Sequence, residues 1–550
     1  MCGILGGNNF NDIQEVKNGL ASIMHRGTDG NIIFHFEKND FYISHNRLSI
    51  QDLSDSANQP LISEDEKFVL AFNGEMWKPF FRKFNSKLRK KYNFKTERSD
   101  SELLLYYLIE NRDNILEAMK KLDGMFCFAF YDVERNELTL GRDFIGRLPL
   151  YYAFENDKIV FSSEVKGIQS AKPEYKFYNI DRSRKPPKGQ KEKIKAVEPG
   201  TIVTVSKNFI GAISCEVTRW NDFKPEFNPE NPTLYTRSET DLKLFEPEDE
   251  DRGIDYYAHE FRKRLELAVD DELISDAPIC TILSGGIDST IITYLLKKKN
   301  PDIEAFVVNV TSERKQTLKD DLYYARIAAK ELGVRLHEVN VSKDDIENNL
   351  KESIWASETH KWTQVSPAVA QLFLSWEIRD KGYKVVFGGE GADEIFASYG
   401  DVKRFCWPDP LAWHQKRVNL INNLHKNNLI RTNKAMMYGG KVELRTPFLN
   451  KDVIDFGLRI PTRYRDEAEG KGNIMKYVLR KAFEGEISEE LLWRPKKTFQ
   501  QGCHTDYLKK EQGTIDKYFN ELFVENKVPQ KYLDRNLGHV SARIKVTQLT

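Results

Sequence analysis

The residue of this chain with the clearest nucleophilic chemistry is Cys2, which directly follows the first methionine in the stretch MCGILGG. Removal of Met1 would give Cys2 a free α-amine beside its thiol. An α-amine has a pKa of roughly 7.7 to 8, so it accepts the thiol proton near neutral pH without help from a histidine. The position therefore predicts an N-terminal thiol nucleophile, although an inert thiol in an N-terminal strand fits the local sequence as well.

A second chemical signal is the glycine-bearing stretch LSGGIDST at residues 283–290. An apolar strand is predicted to end at Ser284 and a helix to begin near Asp288, so backbone amides and a helix N-terminus meet where phosphate binds well. Ser289 adds a hydroxyl donor, whereas Asp288 would repel phosphate unless a divalent cation lay between them, which implies Mg²⁺. The pattern is not GxxxxGK[ST], which excludes a kinase or GTPase loop; an ordinary strand-to-helix turn is the alternative.

Another glycine-rich stretch, FGGEGADEIF at residues 387–396, again follows an apolar run that predicts a strand. Ligands of open α/β sheets bind at the carboxyl ends of the strands, so both glycine loops are expected to face one crevice. Asp288 and Asp393 would then share the metal ion, and Glu390 would be the general base that takes a proton from an incoming amine. The alternative for this acidic cluster is a solvated loop.

The order of predicted elements divides the chain into two domains. Residues 2–220 contain short β-rich runs between turn signals, which predicts an α+β domain with antiparallel sheets. Residues 221–253 combine prolines with acidic residues and are predicted to be a linker. Residues 254–550 alternate strand-like and helix-like runs and then become mostly helical, which predicts a doubly wound parallel sheet followed by helices. A basic, proline-bearing stretch at 172–195 is predicted to be an exposed insertion.

Composition and charge narrow the classes of partner. The chain of 550 residues carries 83 Lys and Arg against 83 Asp and Glu, so its net charge gives no reason to expect nucleic acid or an anionic membrane. No apolar run is long enough to span a bilayer and no signal-peptide pattern opens the chain, which predicts a cytoplasmic protein. The six cysteines occur singly, without the spacing of a zinc site.

Two ordered sets of motifs carry a family resemblance from Cys2 to about Phe499. The first half contains MCGI, HRG, RLSI, FNGE, RSDSE, GMFCFAFYD, GRDFIGRLPLYY and FSSEVKGI. The second half contains SDAPICTILSGGIDST, GEGADEIF, VELRTPFL and KYVLRKAF. The chain resembles the glutamine-hydrolysing asparagine synthetase family, in which a class II glutamine amidotransferase domain is joined to a pyrophosphate-loop ATP-dependent synthetase. The resemblance implies an N-terminal-nucleophile (Ntn) hydrolase-like αββα sandwich followed by an adenine nucleotide α-hydrolase-like parallel sheet.

For the first domain, the resemblance implies that Cys2 attacks the side-chain amide of glutamine. The side-chain amide of Asn73 and the backbone N–H of Gly74 would form the oxyanion hole, where one donor contributes about 3 kcal/mol. Arg47 would bind the α-carboxylate of glutamine, and two acidic residues would lie near its α-amino group. The implied glutamine-binding set is Arg47, Leu48, Ser49, Ile50, Asn73, Gly74 and the acidic residues Glu75 and Asp100.

For the second domain, the resemblance implies adenylation of a carboxylate by ATP, release of pyrophosphate and capture of the adenylate by ammonia. Lys476 would neutralise charge at the α-phosphate, Glu390 would be the base, and Asp288 and Asp393 would hold Mg²⁺. Ammonia would pass inside the protein from one site to the other. The implied ATP-binding set is Leu283, Ser284, Gly285, Gly286, Asp288, Ser289, Val308, Gly388 and Gly389.

Each of these assignments has a structural alternative on local grounds. Arg47 fits a surface salt bridge, and Asp100 fits a helix cap after Ser99. The pair Asn73-Gly74 fits a type I′ hairpin turn. Lys476 fits one more solvated charge on a basic helix. The joint occurrence of these residues behind Cys2 and the glycine loops favours the functional interpretation.

Departures from the family pattern bear on the acceptor. Ser366 stands where the family places an arginine that helps to bind aspartate, and Asn450 replaces the aspartate of PFLD. A pocket without that arginine loses a bidentate contact to a carboxylate. The resemblance thus predicts an enzyme that uses glutamine, ATP and aspartate, with a homodimer left open. The alternatives are the same chemistry on another carboxylate and a relative that keeps the fold without synthesis.

Overall fold

The computed structural model describes residues 1–178, 193–207, 213–221, 252–311, 320–399, 410–426, 428–461, 464, 467–468, 472–473, 475–494, 505–530, 532 and 543–547. Most of the predicted linker at 221–253 and most of the predicted insertion at 172–195 lie outside these residues.

Twenty strands occur within the described ranges. They are β1 (Gly3–Gly7), β2 (Gly30–Phe36), β3 (Phe41–Arg47), β4 (Leu61–Ile62), β5 (Phe68–Met76), β6 (Gly124–Asp132), β7 (Glu137–Arg142), β8 (Tyr151–Glu155), β9 (Lys158–Ser162), β10 (Lys195–Ala196), β11 (Thr201–Lys207), β12 (Ile213–Arg219), β13 (Ile279–Ile282), β14 (Glu304–Thr311), β15 (Arg335–Ser342), β16 (Val385–Phe387), β17 (Glu443–Arg445), β18 (Glu467–Ala468), β19 (Gly472–Asn473) and β20 (Arg543–Thr547).

The α-helices of the same ranges are concentrated in the C-terminal half. They are α1 (Ile13–Ser22), α2 (Lys78–Lys91), α3 (Asp100–Glu110), α4 (Ile115–Met119), α5 (Val165–Ala171), α6 (Ile254–Glu272), α7 (Ile287–Lys299), α8 (Asp321–Leu332), α9 (Lys343–Ser357), α10 (Trp362–Asp380), α11 (Ala392–Ile395), α12 (Pro410–Asn422), α13 (Asn428–Gly440), α14 (Lys451–Arg459), α15 (Tyr477–Lys481), α16 (Glu489–Leu492) and α17 (Gln512–Phe519). None of them is both long and apolar enough to cross a lipid bilayer.

Two sheets face each other in the N-terminal half, with helices on both outer sides. The first has the order β10-β8-β9-β1-β3-β2-β20 and the second the order β12-β11-β7-β6-β5-β4. Successive side chains of a strand point to opposite faces. In β1, Ile4 packs between the sheets and Leu5 packs on the side of α1 and α5, while in β5 Val69 packs between the sheets and Leu70 packs with α2 and α3.

The C-terminal half is built on a five-stranded parallel sheet with the order β15-β14-β13-β16-β17. The chain enters at the central strand β13, moves to β14 and β15 on one side, and later returns to β16 and β17 on the other. Such a change of direction opens a crevice at the carboxyl ends of the central strands. The antiparallel pairing of the first half and the parallel sheet of the second are therefore confirmed.

Two expectations about the ends of these domains are wrong. The last described strand, β20, joins the first sheet and runs parallel to β2, with Ile32 opposite Arg543, although only helices are predicted there and only antiparallel pairing in that sheet. The start of the predicted insertion is buried rather than exposed: Tyr175 and Phe177 are 3% and 1% exposed, and Lys172 pairs with Glu15 at 2.7 Å. The aromatic rings of Tyr175 and Phe177 pack into the core, which the basic composition of the stretch does not indicate.

The two halves meet across a buried chain of ion pairs. Arg26 Nη1 contacts Glu164 Oε1 at 2.6 Å, and Lys166 pairs with both Glu164 and, at 3.4 Å, Glu358. Glu358 pairs in turn with Lys434. The side chains of all five residues are 0% exposed. Arg26, Glu164 and Lys166 belong to the first half, and Glu358 and Lys434 belong to the second. The interface between the halves therefore buries ion pairs as well as apolar side chains.

Candidate active sites

Cys2 lies just before β1, where hydrogen bonds to three neighbouring groups hold the residue. The backbone N–H of Cys2 donates to Asn73 Oδ1 at 2.7 Å, and Arg26 Nε donates to the Cys2 carbonyl at 2.8 Å. The N–H of Leu48 points at Cys2 Sγ from 3.5 Å. Burial raises the pKa of the Cys2 thiol, so the group is protonated at neutral pH and needs a base before it can attack.

Met1 lies beside this thiol and reaches the other half of the protein. Its α-ammonium pairs with Glu443 Oε2 of β17 at 3.1 Å, and both groups are fully buried. While Met1 is attached, the nitrogen of Cys2 is an amide and has no basicity. The predicted use of the Cys2 α-amine as base therefore requires the removal of Met1, and Asn73 Oδ1 is already placed to hold that amine.

Asn73 and Gly74 lie inside β5, paired with Cys127 and Phe126 of β6. The hairpin alternative is wrong, because the strand continues to Met76. Gly74 has a φ of +143°, and a Cβ at this position would lie 2.1 Å from a backbone oxygen of β6, so only glycine fits. Asn73 Nδ2 donates to Cys127 Sγ at 3.4 Å, and its predicted oxyanion role requires exchange of this weak bond for one to the substrate.

A small, open pocket lies beside Cys2 while Met1 is attached. Six of the eight residues predicted to bind glutamine line it, whereas Ser49 and Asn73 do not. The Ser49 N–H donates instead to Asp29 Oδ2 at 2.8 Å. The lining consists of Met1, Cys2, Arg47, Leu48, Ile50, Gln51, Ala57, Gln59, Gly74, Glu75, Ser99, Asp100 and Ser101.

Arg47 forms the cationic side of this pocket. It is 4% exposed, so the surface salt-bridge alternative is wrong. Its guanidinium donates to the carbonyls of Ser54, at 2.7 Å, and Asp52, and to Asn58 Oδ1 at 3.1 Å. These three bonds fix its orientation and leave part of its five N–H groups for a carboxylate ligand.

Glu75 and Asp100 form the acidic side of the pocket. Asp100 is the first residue of α3 and accepts the N–H of Met76 at 3.0 Å, while Ser99 caps the helix, so the cap alternative holds for Ser99 and not for Asp100. Burial raises the pKa of Asp100 to about 6. Burial, followed by the carboxylates of Glu443 and Asp100, raises the pKa of Glu75 well above its usual range. A cation bound beside this pair would restore both charges.

The two predicted glycine loops do face one crevice of the parallel sheet. A Cβ on Gly389, after β16, would come within 2.8 Å of Asp288 Cβ and 2.9 Å of the Ser289 nitrogen at the start of α7. The first loop is held by Ser289 Oγ, which accepts the N–H of Ser284 at 3.1 Å. Gly285 has a φ of +68° and abuts the backbone of α8. The glycines thus allow the close approach that brings the amides and the helix N-terminus together.

Lys476 bridges the two predicted metal ligands. It is 1% exposed, and its ammonium pairs with both Asp288 and Asp393, so the solvated-charge alternative is wrong. Burial alone would lower the pKa of Lys476, but the carboxylates of Asp288 and Asp393 raise it. Asp288 Oδ1 is buried and has no hydrogen-bond partner among the described residues. The crevice therefore holds two carboxylates suited to a divalent cation, with a cation of its own between them.

Glu390 is half-buried rather than fully solvated, which argues against the loop alternative for this acidic cluster. Its Oε2 is buried without a hydrogen-bond partner in the described part of the chain, and it lies where a Cβ on Gly388 would be. Burial, together with the charges of Asp288 and Asp393, raises the pKa of Glu390, against the effect of Arg431. A carboxylate with a raised pKa, next to backbone amides that suit phosphate, has the properties of a proton acceptor.

Three arginines near the crevice are absent from the prediction. Burial lowers the pKa of Arg480 and of Arg431 to about 10, and Arg494 donates to the Ser284 carbonyl at 3.4 Å. Arg480 is 2% exposed although its segment is basic throughout. The sequence signal for their burial was the position of charged residues between apolar neighbours. It was not enough, because basic helix residues are usually solvated.

The remaining predicted residues are buried at the floor of the crevice or outside it. Leu283 donates its N–H to Phe306 across the sheet at 2.9 Å, and Val308 lies in β14; both are at most 5% exposed. Their contact with ATP stays a prediction. Ser366 Oγ donates to Thr505 Oγ1 at 2.7 Å, and Asn450 caps α14 by accepting the N–H of Asp452. Neither side chain supplies the positive charge with which a guanidinium would bind an acceptor carboxylate.

Fold and sites together define a chain of two domains, with antiparallel sheets around a near-terminal thiol and a parallel sheet that ends in two glycine loops. A family model described as a glutamine amidotransferase domain matches residues 1–214, and one described as asparagine synthase matches residues 260–409 and 407–539. The latter covers just over half of the chain, and the protein belongs to the asparagine synthase family.

Curated relatives match along nearly the whole chain. A probable glutamine-hydrolysing asparagine synthetase of Schizosaccharomyces pombe is 29% identical over 556 residues, covering 94% of this chain and 87% of the relative. Asparagine synthetase B of Escherichia coli is 28% identical over 499 residues, covering 88% and 78%. A probable glutamine-hydrolysing asparagine synthetase of Dictyostelium discoideum is 29% identical over 539 residues, covering 91% and 85%.

Proposed function

We propose that this protein is an ATP-dependent ligase that releases ammonia from glutamine at Cys2 and uses it to convert aspartate to asparagine, with release of AMP and pyrophosphate. The observation that carries the proposal is the presence, in one chain, of a pocket at a thiol with a cationic and an acidic side, and of a cation-lined crevice under two glycine loops. The names of its relatives support the same reaction.

We assign residues 2–220 to an Ntn-type glutaminase, 221–253 to a linker and 254–550 to the adenylating domain, with β20 the exception because it pairs with β2. In the glutaminase, Arg47 binds the α-carboxylate of glutamine and the pair of Glu75 and Asp100 binds its α-ammonium. This orientation directs the side-chain amide toward Cys2 Sγ, and the Cys2 α-amine takes the thiol proton.

Attack of the thiolate converts the amide carbonyl into an oxyanion, which the N–H of Gly74 and the side-chain amide of Asn73 stabilise. Collapse of this intermediate breaks the C–N bond; the leaving nitrogen takes a proton and departs as ammonia. Water then hydrolyses the thioester to glutamate. An internal route from the Cys2 site to the crevice would keep ammonia out of bulk water, where it would be protonated.

In the synthetase, a carboxylate oxygen attacks the α-phosphorus of ATP and pyrophosphate leaves. Lys476 neutralises the charge that grows on the phosphate oxygens, and the loop amides at 284–289 and 388–389 hold the phosphates. Ammonia then attacks the acyl carbon of the adenylate, Glu390 accepts a proton from the nitrogen, and AMP leaves. Adenylation is needed because hydroxide is a poor leaving group at a carboxylate.

The donor set of the crevice fits Mg²⁺. Asp288 and Asp393 would hold the ion, and the unpartnered Oδ1 of Asp288 supports this assignment. Within the described residues no three His, Cys, Asp or Glu side chains form a complete metal cluster, which fits an ion that takes its other ligands from phosphate and water. When bound, Mg²⁺ would offset the negative charge of the pyrophosphate leaving group.

A second acceptor is favoured by one observation. Ser366 is engaged with Thr505 and offers no guanidinium for a second carboxylate, so a carboxylic acid other than aspartate remains the alternative substrate of the same chemistry.

Pyrophosphate release, measured with ATP, Mg²⁺ and glutamine across a panel of carboxylic acids, tests the proposal. We expect release with aspartate and formation of asparagine. Release only with another acid would overturn aspartate as acceptor, and glutamate formation without any acid-dependent pyrophosphate release would identify a glutaminase that has lost synthesis. Mass spectrometry of the active protein should find Cys2 as its first residue.

The affinity for glutamine should fall in acid. Because Asp100 binds the α-ammonium as a carboxylate and burial raises its pKa to about 6, kcat/KM for glutamine hydrolysis should decrease below that value by about a further tenfold per pH unit, beyond the decrease that protonation of the Cys2 α-amine causes. The measurement is glutamate formation between pH 5 and 8. In Asp100→Asn, kcat/KM should be lower at neutral pH and should lose this acidic break. Retention of the break in Asp100→Asn would assign it to another group.

A further inference from the structure

Arg445, at the end of β17 in the synthetase half, has a guanidinium whose bonds can be counted in full. It is 0% exposed. Nε donates to Glu443 Oε1 at 2.9 Å, and Nη1 donates to the carbonyls of Glu272 and, at 2.6 Å, Ile274. Nη2 is buried and donates to no described residue. It lies 3.8 Å from Glu75 Oε2, in the glutamine pocket of the other half.

The geometry of Arg445 leaves its guanidinium little freedom to turn away from that pocket. Three of its donors are bound, and its Cζ lies 5.6 Å from the ring centre of Trp77, the residue that follows β5. A planar fork held on two edges presents its third edge in a fixed direction. The free edge of Arg445 therefore faces Glu75 from across the domain interface.

Glu75 needs such a neighbour. It is 4% exposed, and burial, Glu443 and Asp100 all raise its pKa, whereas Arg445 and the ammonium of Met1 lower it. Its described hydrogen bond is from Gln51 Nε2, a neutral donor. Maturation at Cys2 would remove Met1 and with it one of the two cations. Arg445 would then be the remaining side-chain cation among the groups that set the charge of Glu75.

We propose that Arg445 is a positioning residue of the glutamine pocket: from the synthetase half, its free Nη2 edge holds Glu75 as a carboxylate, oriented toward the α-ammonium of glutamine. The inference rests on the proposed function. On this proposal, the glutaminase pocket is complete only when the second domain is docked on the first. A merely structural role, in which Arg445 ties β17 to the end of α6 through the carbonyls of Glu272 and Ile274, is the competing explanation.

Arg445→Gln separates these roles. We expect the ratio of glutamine-dependent to ammonia-dependent kcat/KM to fall about tenfold, mainly through KM for glutamine, which is the loss of one charge-assisted contact. The main-chain carbonyl of Arg445, which accepts the N–H of Gly388 at 2.9 Å, is kept in the variant. Arg445→Lys keeps the charge but not the planar fork that directs it at Glu75, so it should restore only part of the ratio.

Arg417→Gln is the matched control. Arg417 is also buried in the synthetase half, 4% exposed, and donates to the carbonyls of Gly457 and Leu458. It should leave the ratio unchanged. If Arg445→Gln folds poorly by circular dichroism, Arg445→Lys replaces it in the same comparison: loss of the planar fork should still lower the ratio, and an unchanged ratio would overturn the proposal.

A double-mutant cycle tests the route through Glu75. In a Glu75→Gln background, Arg445→Gln should raise KM for glutamine no further, because no carboxylate remains to be held. An equal rise in both backgrounds, or an equal loss of glutamine- and ammonia-dependent activity in Arg445→Gln, would overturn the proposal. If the unmodified protein shows ammonia-dependent but no glutamine-dependent synthesis, the proposed glutaminase function fails instead, independently of Arg445.

Discussion

Replacement of Cys2 by alanine is expected to abolish glutamine-dependent synthesis while leaving ammonia-dependent synthesis intact. Without the thiol no thioester forms, and the rate with glutamine should fall by a factor on the order of 10³ or more. The crevice that contains Lys476 and Glu390 makes no use of the thiol, so ammonium salts at alkaline pH should support the original rate. Asparagine formation with each nitrogen source is the measurement.

Cys215→Ala is the control for this variant, because Cys215 is another free thiol, half-buried in β12 and outside both sites. It should retain activity with both nitrogen sources. Glutamine-dependent activity that persisted in Cys2→Ala would show that the nucleophile lies elsewhere, and loss of the ammonia reaction would show that the substitution had damaged the fold.

Replacement of Lys476 by alanine is expected to have the opposite pattern, with both nitrogen sources affected equally. Its ammonium bridges Asp288 and Asp393 beneath the glycine loops, where negative charge grows as pyrophosphate leaves. Loss of one preorganised cationic donor in an enclosed site typically costs a hundredfold to about a thousandfold in rate. Aspartate-dependent pyrophosphate release should fall by that factor, while glutamine hydrolysis without ATP should continue.

Lys481→Ala is the matched control, since Lys481 is the last residue of α15, the helix whose N-cap position is Lys476; its side chain is 30% exposed and pairs with Glu484 at 2.7 Å. It should change the rate by less than about twofold. If Lys476→Ala released pyrophosphate as fast as Lys481→Ala, the charge at 476 would be structural and the assignment at the α-phosphate would be wrong.

Local patterns were enough to propose residues for each site, because glycine loops, a terminal cysteine and short acidic motifs are continuous in sequence. The loops at 284–289 and 388–389 meet as expected, since the carboxyl ends of neighbouring parallel strands lie side by side. Gly74 could be placed in the pocket but not in a continuous strand: Asn-Gly is also a strong turn signal, and pairing with β6 overrides it.

Features that depend on distant pairing escaped prediction. β20 carries no local mark that would assign it to a strand more than 500 residues away. The enclosure of Arg480 and Arg431 follows from packing between helices, whereas a basic helix residue taken by itself is expected in water. Whether the departures at Ser366 and Asn450 change the acceptor depends on the shape of a ligand-bound pocket, which residue types alone do not encode.

The buried charge chain from Arg26 to Lys434 has a consequence for how the two domains can evolve. Removing one member of a buried pair leaves its partner charged without compensation, which typically costs 3 to about 5 kcal/mol. Glu358 sits between Lys166 and Lys434, so a neutral residue at 358 would remove the carboxylate that pairs with Lys434 and would leave Lys166 paired with Glu164 alone. Chimaeras that join this N-terminal half to a relative's C-terminal half should therefore fold only when the donor supplies an acid at that position, and substitutions across this seam are expected to covary.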